Sequence, residues 1–335
     1  MSNASHSGDV MWPQMRRINP EEGGARLAVI RNNVSIAVRT TFRRAASCWI
    51  RLRNILAGKS DRDSWSGIQC DFIVSTGRTG TMALARLCAE CFGSQVDSRH
   101  EPHPDLFHLA AATVRHGLTT SQVIRELGES RRHVLSDLRR KKCRWYVESN
   151  NNLAWLIPAV RSLFPHYRII HIVRDGRDVV RSWYGKYVNS ADSSPAVFAG
   201  PNDVRQRIGA NDVPSDEYHS RWESMGRFER LCWIWSRTDA AIQNAIDGDD
   251  RCCTIRFEDI FGDKEEFAGA VSLISFLANG RAAPADGFIR ERMRVRSNAS
   301  EAHALPHWSA WPQEMQATFA AIAGSQMRRN GYSLD

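Results

Sequence analysis

An apolar strand that runs into a glycine-bearing turn, and from there directly into a helix, constrains this chain most. Residues 70–75 read as a short buried strand, Ser75-Thr76-Gly77-Arg78-Thr79-Gly80-Thr81 as the turn, and residues 81–92 as the helix. The same grammar recurs down the chain. Residues 95–99, 145–149, 168–174 and 252–257 read as further strands. Residues 105–116, 121–142, a stretch ending at 164, and 178–188, 217–246, 264–277 and 313–328 read as helices. Such alternation predicts an α/β fold, a three-layer arrangement with a parallel sheet covered by helices on both faces. The 335 residues suffice for one large domain with additions or for two ordinary ones.

The turn has the chemistry of an anion cradle. Gly77 and Gly80 let backbone approach a ligand closely, and a helix start aims N–H groups at negative charge. Thr79 and Thr81 add hydroxyls, and Arg78 adds a planar cationic fork. An ordinary strand–helix turn has the same outline, so both readings stand at this point. The turn is not a Walker A motif, because Thr81 stands where the lysine after the second glycine would be. A second strand-to-helix element, RIIHIVRDGRDVVRSW, runs from residue 168 to 183. It puts Arg174 at the strand end and Ser182 eight residues on, with Asp175 placed to cap the helix. Two anion sites at the ends of parallel strands suit a ligand with phosphates at both ends.

Net charge is +8, and 40 of the 45 basic residues are Arg. Residues 1–66 carry 11 basic and five acidic side chains, so the body is nearly neutral and nucleic acid is not an expected partner. Residues 1–22 read as disordered and residues 23–66 as a basic amphipathic helix followed by a linker over 61–67. That helix, within residues 24–57, either packs on protein or lies on an anionic membrane surface. The eight cysteines do not form a disulfide framework at this length. Cys88 and Cys91 form a lone CxxC on a helix with no second pair, so core thiols are the better reading than zinc. No apolar run reaches the length that spans a bilayer. The expected location is a reducing cytoplasm, with peripheral membrane contact through the basic helix as the second reading.

With these residues in view, the sequence resembles the sulfotransferases that use 3′-phosphoadenosine 5′-phosphosulfate (PAPS). STGRTGT is similar to their 5′-phosphosulfate loop, and YRIIHIVRDGRDVVRSW to their 3′-phosphate element. Phe257-Glu258-Asp259-Ile260, His307-Trp308-Ser309 and Arg329-Asn330-Gly331-Tyr332 resemble further family marks. The resemblance covers about residues 67–335 and implies a P-loop-like fold around a five-stranded parallel sheet. Arg78 stands where the cytosolic phenol branch has Lys, which brings the chain nearer the glycan and tyrosylprotein branches. The resemblance assigns Gly77, Arg78, Thr79, Gly80, Thr81 and Met82 to the 5′ side of the cosubstrate, with Met82 standing where relatives carry an adenine-stacking Trp. It assigns Arg174, Ser182 and Arg296 to the 3′-phosphate. It implies PAPS as cosubstrate, adenosine 3′,5′-bisphosphate (PAP) as product, and no metal.

Sulfuryl transfer needs in-line positioning, a charge stabiliser and a base for the acceptor proton. Arg78 is the expected stabiliser. Glu101, in Arg99-His100-Glu101-Pro102-His103, resembles the family's glutamate base; His100 and His103 are the other candidates for that role. His100, His103 and Glu148 are expected at the acceptor site. The acceptor is expected to be a hydroxyl on a carbohydrate or glycolipid. The rival readings are a nucleotide-dependent phosphotransferase and a non-catalytic relative that binds nucleotide or glycan.

Overall fold

The computed structural model describes residues 60–102, 106–184, 208–262, 266–294 and 305–334. The chain divides into two units, Met1–Trp49 and Ile50–Asp335, and every described residue belongs to the second. The basic helix expected before residue 60, and its membrane-surface reading, lie outside the described residues. Among the described residues, no helix is long and apolar enough to cross a membrane.

Five strands form one parallel sheet: β1 (Gln69–Ser75), β2 (Asp97–His100), β3 (Trp145–Ser149), β4 (His166–Val173) and β5 (Cys252–Arg256), in the order β2-β3-β1-β4-β5. Ten α-helices accompany them: α1 (Thr81–Phe92), α2 (Phe107–Arg115), α3 (Thr120–Lys141), α4 (Ile157–Leu163), α5 (Gly176–Tyr184), α6 (Arg227–Ile246), α7 (Phe257–Phe261), α8 (Ala268–Ala278), α9 (Asp286–Arg294) and α10 (Gln313–Arg329). The period-two alternation of the strands builds two cores. Phe72, Val74, Tyr146 and Ile169 face α3, α4, α6 and α10, while Ile73, Val147, Ile170 and Ile172 face α1, α8 and α9. The result is the expected three-layer α/β fold.

Each face of the sheet also holds a buried Arg–carboxylate pair. Arg168 on β4 donates twice to Asp71 on β1, at 2.9 and 2.8 Å. Arg131 on α3 donates twice to Glu148 on β3, at 2.8 and 2.7 Å, and both side chains are fully buried. These contacts bind helix to strand and strand to strand in fixed register.

Two expectations about boundaries change. Residues 61–67 are not a loose linker. Asp63–Trp65 forms a short 3₁₀ turn, and Trp65 is buried edge-on against Phe164 at 4.7 Å between ring centroids. The helix expected from residue 217 begins at Arg227, because the Glu229 carboxylate accepts the Gly226 N–H at 2.7 Å and starts the helix there. Helices α7 and α9 were not expected.

The site follows from the strand order. The chain steps outward from β1 to β2, returns through β3, then crosses β1 to reach β4 and β5. The reversal leaves a crevice at the C-terminal end of β1, flanked by the ends of β3 and β4, where open α/β sheets bind ligands.

Candidate active site

The turn after β1 occupies that crevice. Ser75, at the strand end, is its organiser: its hydroxyl accepts from the Gly77 N–H at 3.1 Å and the Thr79 hydroxyl at 2.7 Å. Gly77 and Gly80 lie at φ +102° and +68°. A Cβ on Gly80 would come within 2.5 Å of the Phe261 ring on α7, so only glycine fits. No side chain caps the first turn of α1, whose opening N–H groups and positive dipole end face the loop. That is the local structure of an anion site.

The β4–α5 element closes on this loop from the other side. Asp175 caps α5 by accepting the Arg177 N–H at 2.8 Å, as its position predicts. Ser182 returns beside the strand end and accepts from Arg78 Nε at 2.8 Å. Arg174 donates to the Arg78 carbonyl at 2.6 Å and lays its guanidinium on the Phe257 ring at 4.1 Å. The Arg174 Nε–H is buried without a partner, a donor left for an anion. Both candidate anion elements therefore meet at Arg78.

Glu258, at the start of α7, steadies the same corner. Its carboxylate accepts from the Asp175 N–H at 3.2 Å and from the Tyr332 hydroxyl at 2.6 Å. Burial, and then the neighbouring Glu258 carboxylate, push the Tyr332 hydroxyl up, so it stays protonated and donates. The FEDI and NGY marks of the sequence thus touch each other and hold the end of β4.

Glu101 follows β2 on the β3 side of the crevice. Its N–H donates to the Ser149 carbonyl at 3.0 Å, and its carboxylate accepts from Asn151 Nδ2 at 3.3 Å. Asn151 Oδ1 in turn accepts from the Ser75 hydroxyl at 2.7 Å. One asparagine therefore ties the candidate base to the organiser of the anion loop. Backbone geometry singles out the same residues. Among the described residues, five non-glycine residues have positive φ, and three of them, Lys142, Phe267 and Asn279, sit at helix ends. The other two are Arg78 at +59° and Glu101 at +40°. Such conformations cost about 1–3 kcal/mol each and concentrate at working sites.

Next to Asn151 lies a pocket of about 50 Å³, whose polar wall is Thr76, Asn151, Asn152 and Thr238. Among the described residues, no cluster of His, Cys, Asp or Glu is placed to hold a metal ion.

The profile of the Sulfotransferase family matches residues 72–272, more than half of the chain. The chain belongs to the sulfotransferase family. Among solved structures, this sulfotransferase is similar to the sulfotransferase domain of the curacin biosynthetic pathway, at 13% identity and TM-score 0.45 over 80% of this chain and 99% of that one. It is similar to mouse SULT7A1 complexed with PAP, at 14% identity and TM-score 0.42 over 80% and 89%. It is also similar to STF1 of Mycobacterium tuberculosis H37Rv, at 13% identity and TM-score 0.43 over 78% and 79%. No curated protein matches its sequence.

Gly77, Arg78, Thr79, Gly80, Thr81, Arg174, Ser182 and Glu101 come together around the crevice. Met82 follows the loop and is exposed. His100 is held by the Ser149 carbonyl at 3.1 Å from Nδ1. Arg99 pairs with Asp97 and Asp137, not with Glu101. His103 and Arg296 lie outside the described residues. Glu148 is not at the acceptor surface. It is fully buried, and both oxygens are taken by Arg131, Tyr146 and Asn150. Burial raises its pKa, but the Arg131 charge and these hydrogen bonds outweigh burial and hold the carboxyl below its ordinary value. The residues sequence reasoning missed are Asn151 and Asn152. Their signal was the polar run Ser149–Asn152 directly after an apolar strand.

Proposed function

We propose that the chain transfers a sulfuryl group from PAPS to an acceptor hydroxyl by in-line displacement. The observation that supports this best is the pairing of Arg78 and Glu101. Both have left-handed backbone, both follow strands at the crevice, and the Ser75–Asn151 bridge connects them.

PAPS supplies an activated sulfuryl group on a phosphate leaving group. The loop from Ser75 to Thr81, with the α1 N-terminus, is built to hold its 5′ side, and Arg174 with Ser182 its 3′-phosphate. Glu101 accepts the acceptor proton while the acceptor oxygen forms its bond to sulfur. The bond from sulfur to the phosphate oxygen breaks in the same step, and the charge left on that oxygen falls to Arg78. Asn151 keeps the Glu101 carboxylate aimed and in register with the loop. Two arginines, Arg78 and Arg174, meet at the loop and supply its positive charge.

The likeness of Arg78 and of the Glu101 motif to the glycan and tyrosylprotein branches supports a carbohydrate or glycolipid hydroxyl as acceptor. Phe107 and Trp155 on the pocket wall offer apolar surface to the carbon skeleton beside the reacting hydroxyl. The test is Glu101→Gln, assayed with radiolabelled PAPS against a host extract. Turnover should fall about 10²–10⁴-fold with PAP binding retained. Near-normal turnover removes Glu101 from the mechanism.

A further inference from the structure

Asn152 is the least satisfied polar side chain beside the candidate active site. It is only 4% exposed, yet neither its amide oxygen nor its amide nitrogen has a hydrogen-bond partner. The observation holds whichever way the amide is turned, since both ends are orphaned. Its backbone is fixed, because the Asn152 N–H donates to the Asn150 side chain at 2.9 Å. A buried amide left unpaired carries its desolvation penalty with no hydrogen bond to offset it, so its retention calls for an explanation. The side chain lines the 50 Å³ pocket next to Asn151, the residue that holds Glu101. The rest of the wall includes Phe107, Trp155, Ile208 and Ile234, and among the described lining residues none carries a charge. The volume admits a fragment of a few heavy atoms, not a whole sugar ring.

We infer that Asn152 recognises the acceptor, by hydrogen bonding an uncharged polar group next to the hydroxyl that reacts. This rests on the sulfuryl-transfer reading and deepens it. The acceptor class is a neutral alcohol with a second hydroxyl or amide beside the reacting oxygen, carried on an apolar or ring face. An amide can donate to one such group and accept from another, so it tolerates a diol and fails to match a lone alcohol. Among its described residues the wall offers no cation to an anionic substituent, so a carboxylate beside them meets desolvation.

The test uses the full chain with radiolabelled PAPS and four probes: 1-octanol, 1,2-octanediol, octyl β-D-glucopyranoside and octyl β-D-glucuronide. Wild type should favour the diol over 1-octanol, and the glucoside over the glucuronide, each by about tenfold or more in kcat/KM. In Asn152→Leu and Asn152→Ala the diol preference should collapse toward one, through a raised acceptor KM with the KM for PAPS unchanged. Thermal stabilisation by PAP, measured in all three proteins, separates the two levels of failure. Stabilisation retained, with the diol preference intact in both variants, overturns the role of Asn152. Stabilisation retained, with the glucuronide preferred or no probe labelled, overturns the acceptor class. No stabilisation of wild type by PAP overturns the sulfuryl-transfer reading itself, and this inference falls with it.

Discussion

At Gly80 the chain lies at φ +68°, and the Phe261 ring fills the space a side chain would need. Any other residue meets two penalties at once, a left-handed backbone and a clash at 2.5 Å. Gly80→Ala should therefore lower stability by at least about 1–2 kcal/mol. It should also weaken PAP binding more than a distant substitution of equal stability cost. Chemical denaturation and calorimetric titration check both parts. Arg78 and Glu101 show the same effect from the other side, because they are non-glycine residues held where glycine would be easier. Sequence reasoning reached Arg78, Arg174, Ser182 and Glu101 because each has a fixed place relative to a strand end or a motif. It did not reach Asn151, whose role depends on two contacts across the sheet, with Ser75 at separation 76 and Glu101 at separation 50. Glu148 was misplaced for the same reason. A carboxylate near the end of an apolar strand reads as facing a site until Arg131 on α3 is seen to meet it.

Elements were legible where local chemistry marks their ends. Helix α1 starts after Gly80 and strand β3 ends at Ser149, as the sequence indicates. The start of α6 was hidden because residues 217–226 are rich enough in helix formers to extend the pattern, while the Gly226–Glu229 cap decides the boundary. Helix α7 was hidden because Phe257–Phe261 continues an apolar strand without a break in composition. The junction of α3 with β3 carries a prediction of its own. Replacing Glu148 by Gln leaves Arg131 buried without a counter-charge, a loss of about 3–5 kcal/mol. The pH dependence follows from the depressed Glu148 carboxyl. A carboxyl with a lower pKa in the folded state stabilises the fold above its unfolded pKa, about 4.3, and ceases to as pH falls through its folded value. Wild type should lose stability below about pH 4, and the Glu148→Gln profile should be shallower there. A series of urea melts from pH 7 to pH 3 measures both. The CxxC of α1 belongs to the same scale. Burial pushes the Cys88 thiol up, and burial followed by the Glu90 charge pushes Cys91 to about 11. Both should resist iodoacetamide at neutral pH, and rapid labelling measured by mass spectrometry would contradict their packing.

The net charge of +8 says little about how the whole molecule works. Binding is arranged by topology, which brings the ends of β1, β3 and β4 together at the reversal of strand order. Two strand-to-helix elements meet there through Arg78, Arg174 and Ser182. A kinase-type reading needs a lysine that the loop does not have. The measurement that tests this most directly compares thermal stabilisation by PAP, adenosine 5′-monophosphate and ATP, at matched concentrations. PAP should raise the unfolding temperature by about 5–10 °C near 100 times its Kd. Adenosine 5′-monophosphate should do much less, because it has no 3′-phosphate for Arg174 and Ser182. Equal or greater stabilisation by ATP, or no difference between PAP and adenosine 5′-monophosphate, would contradict the account.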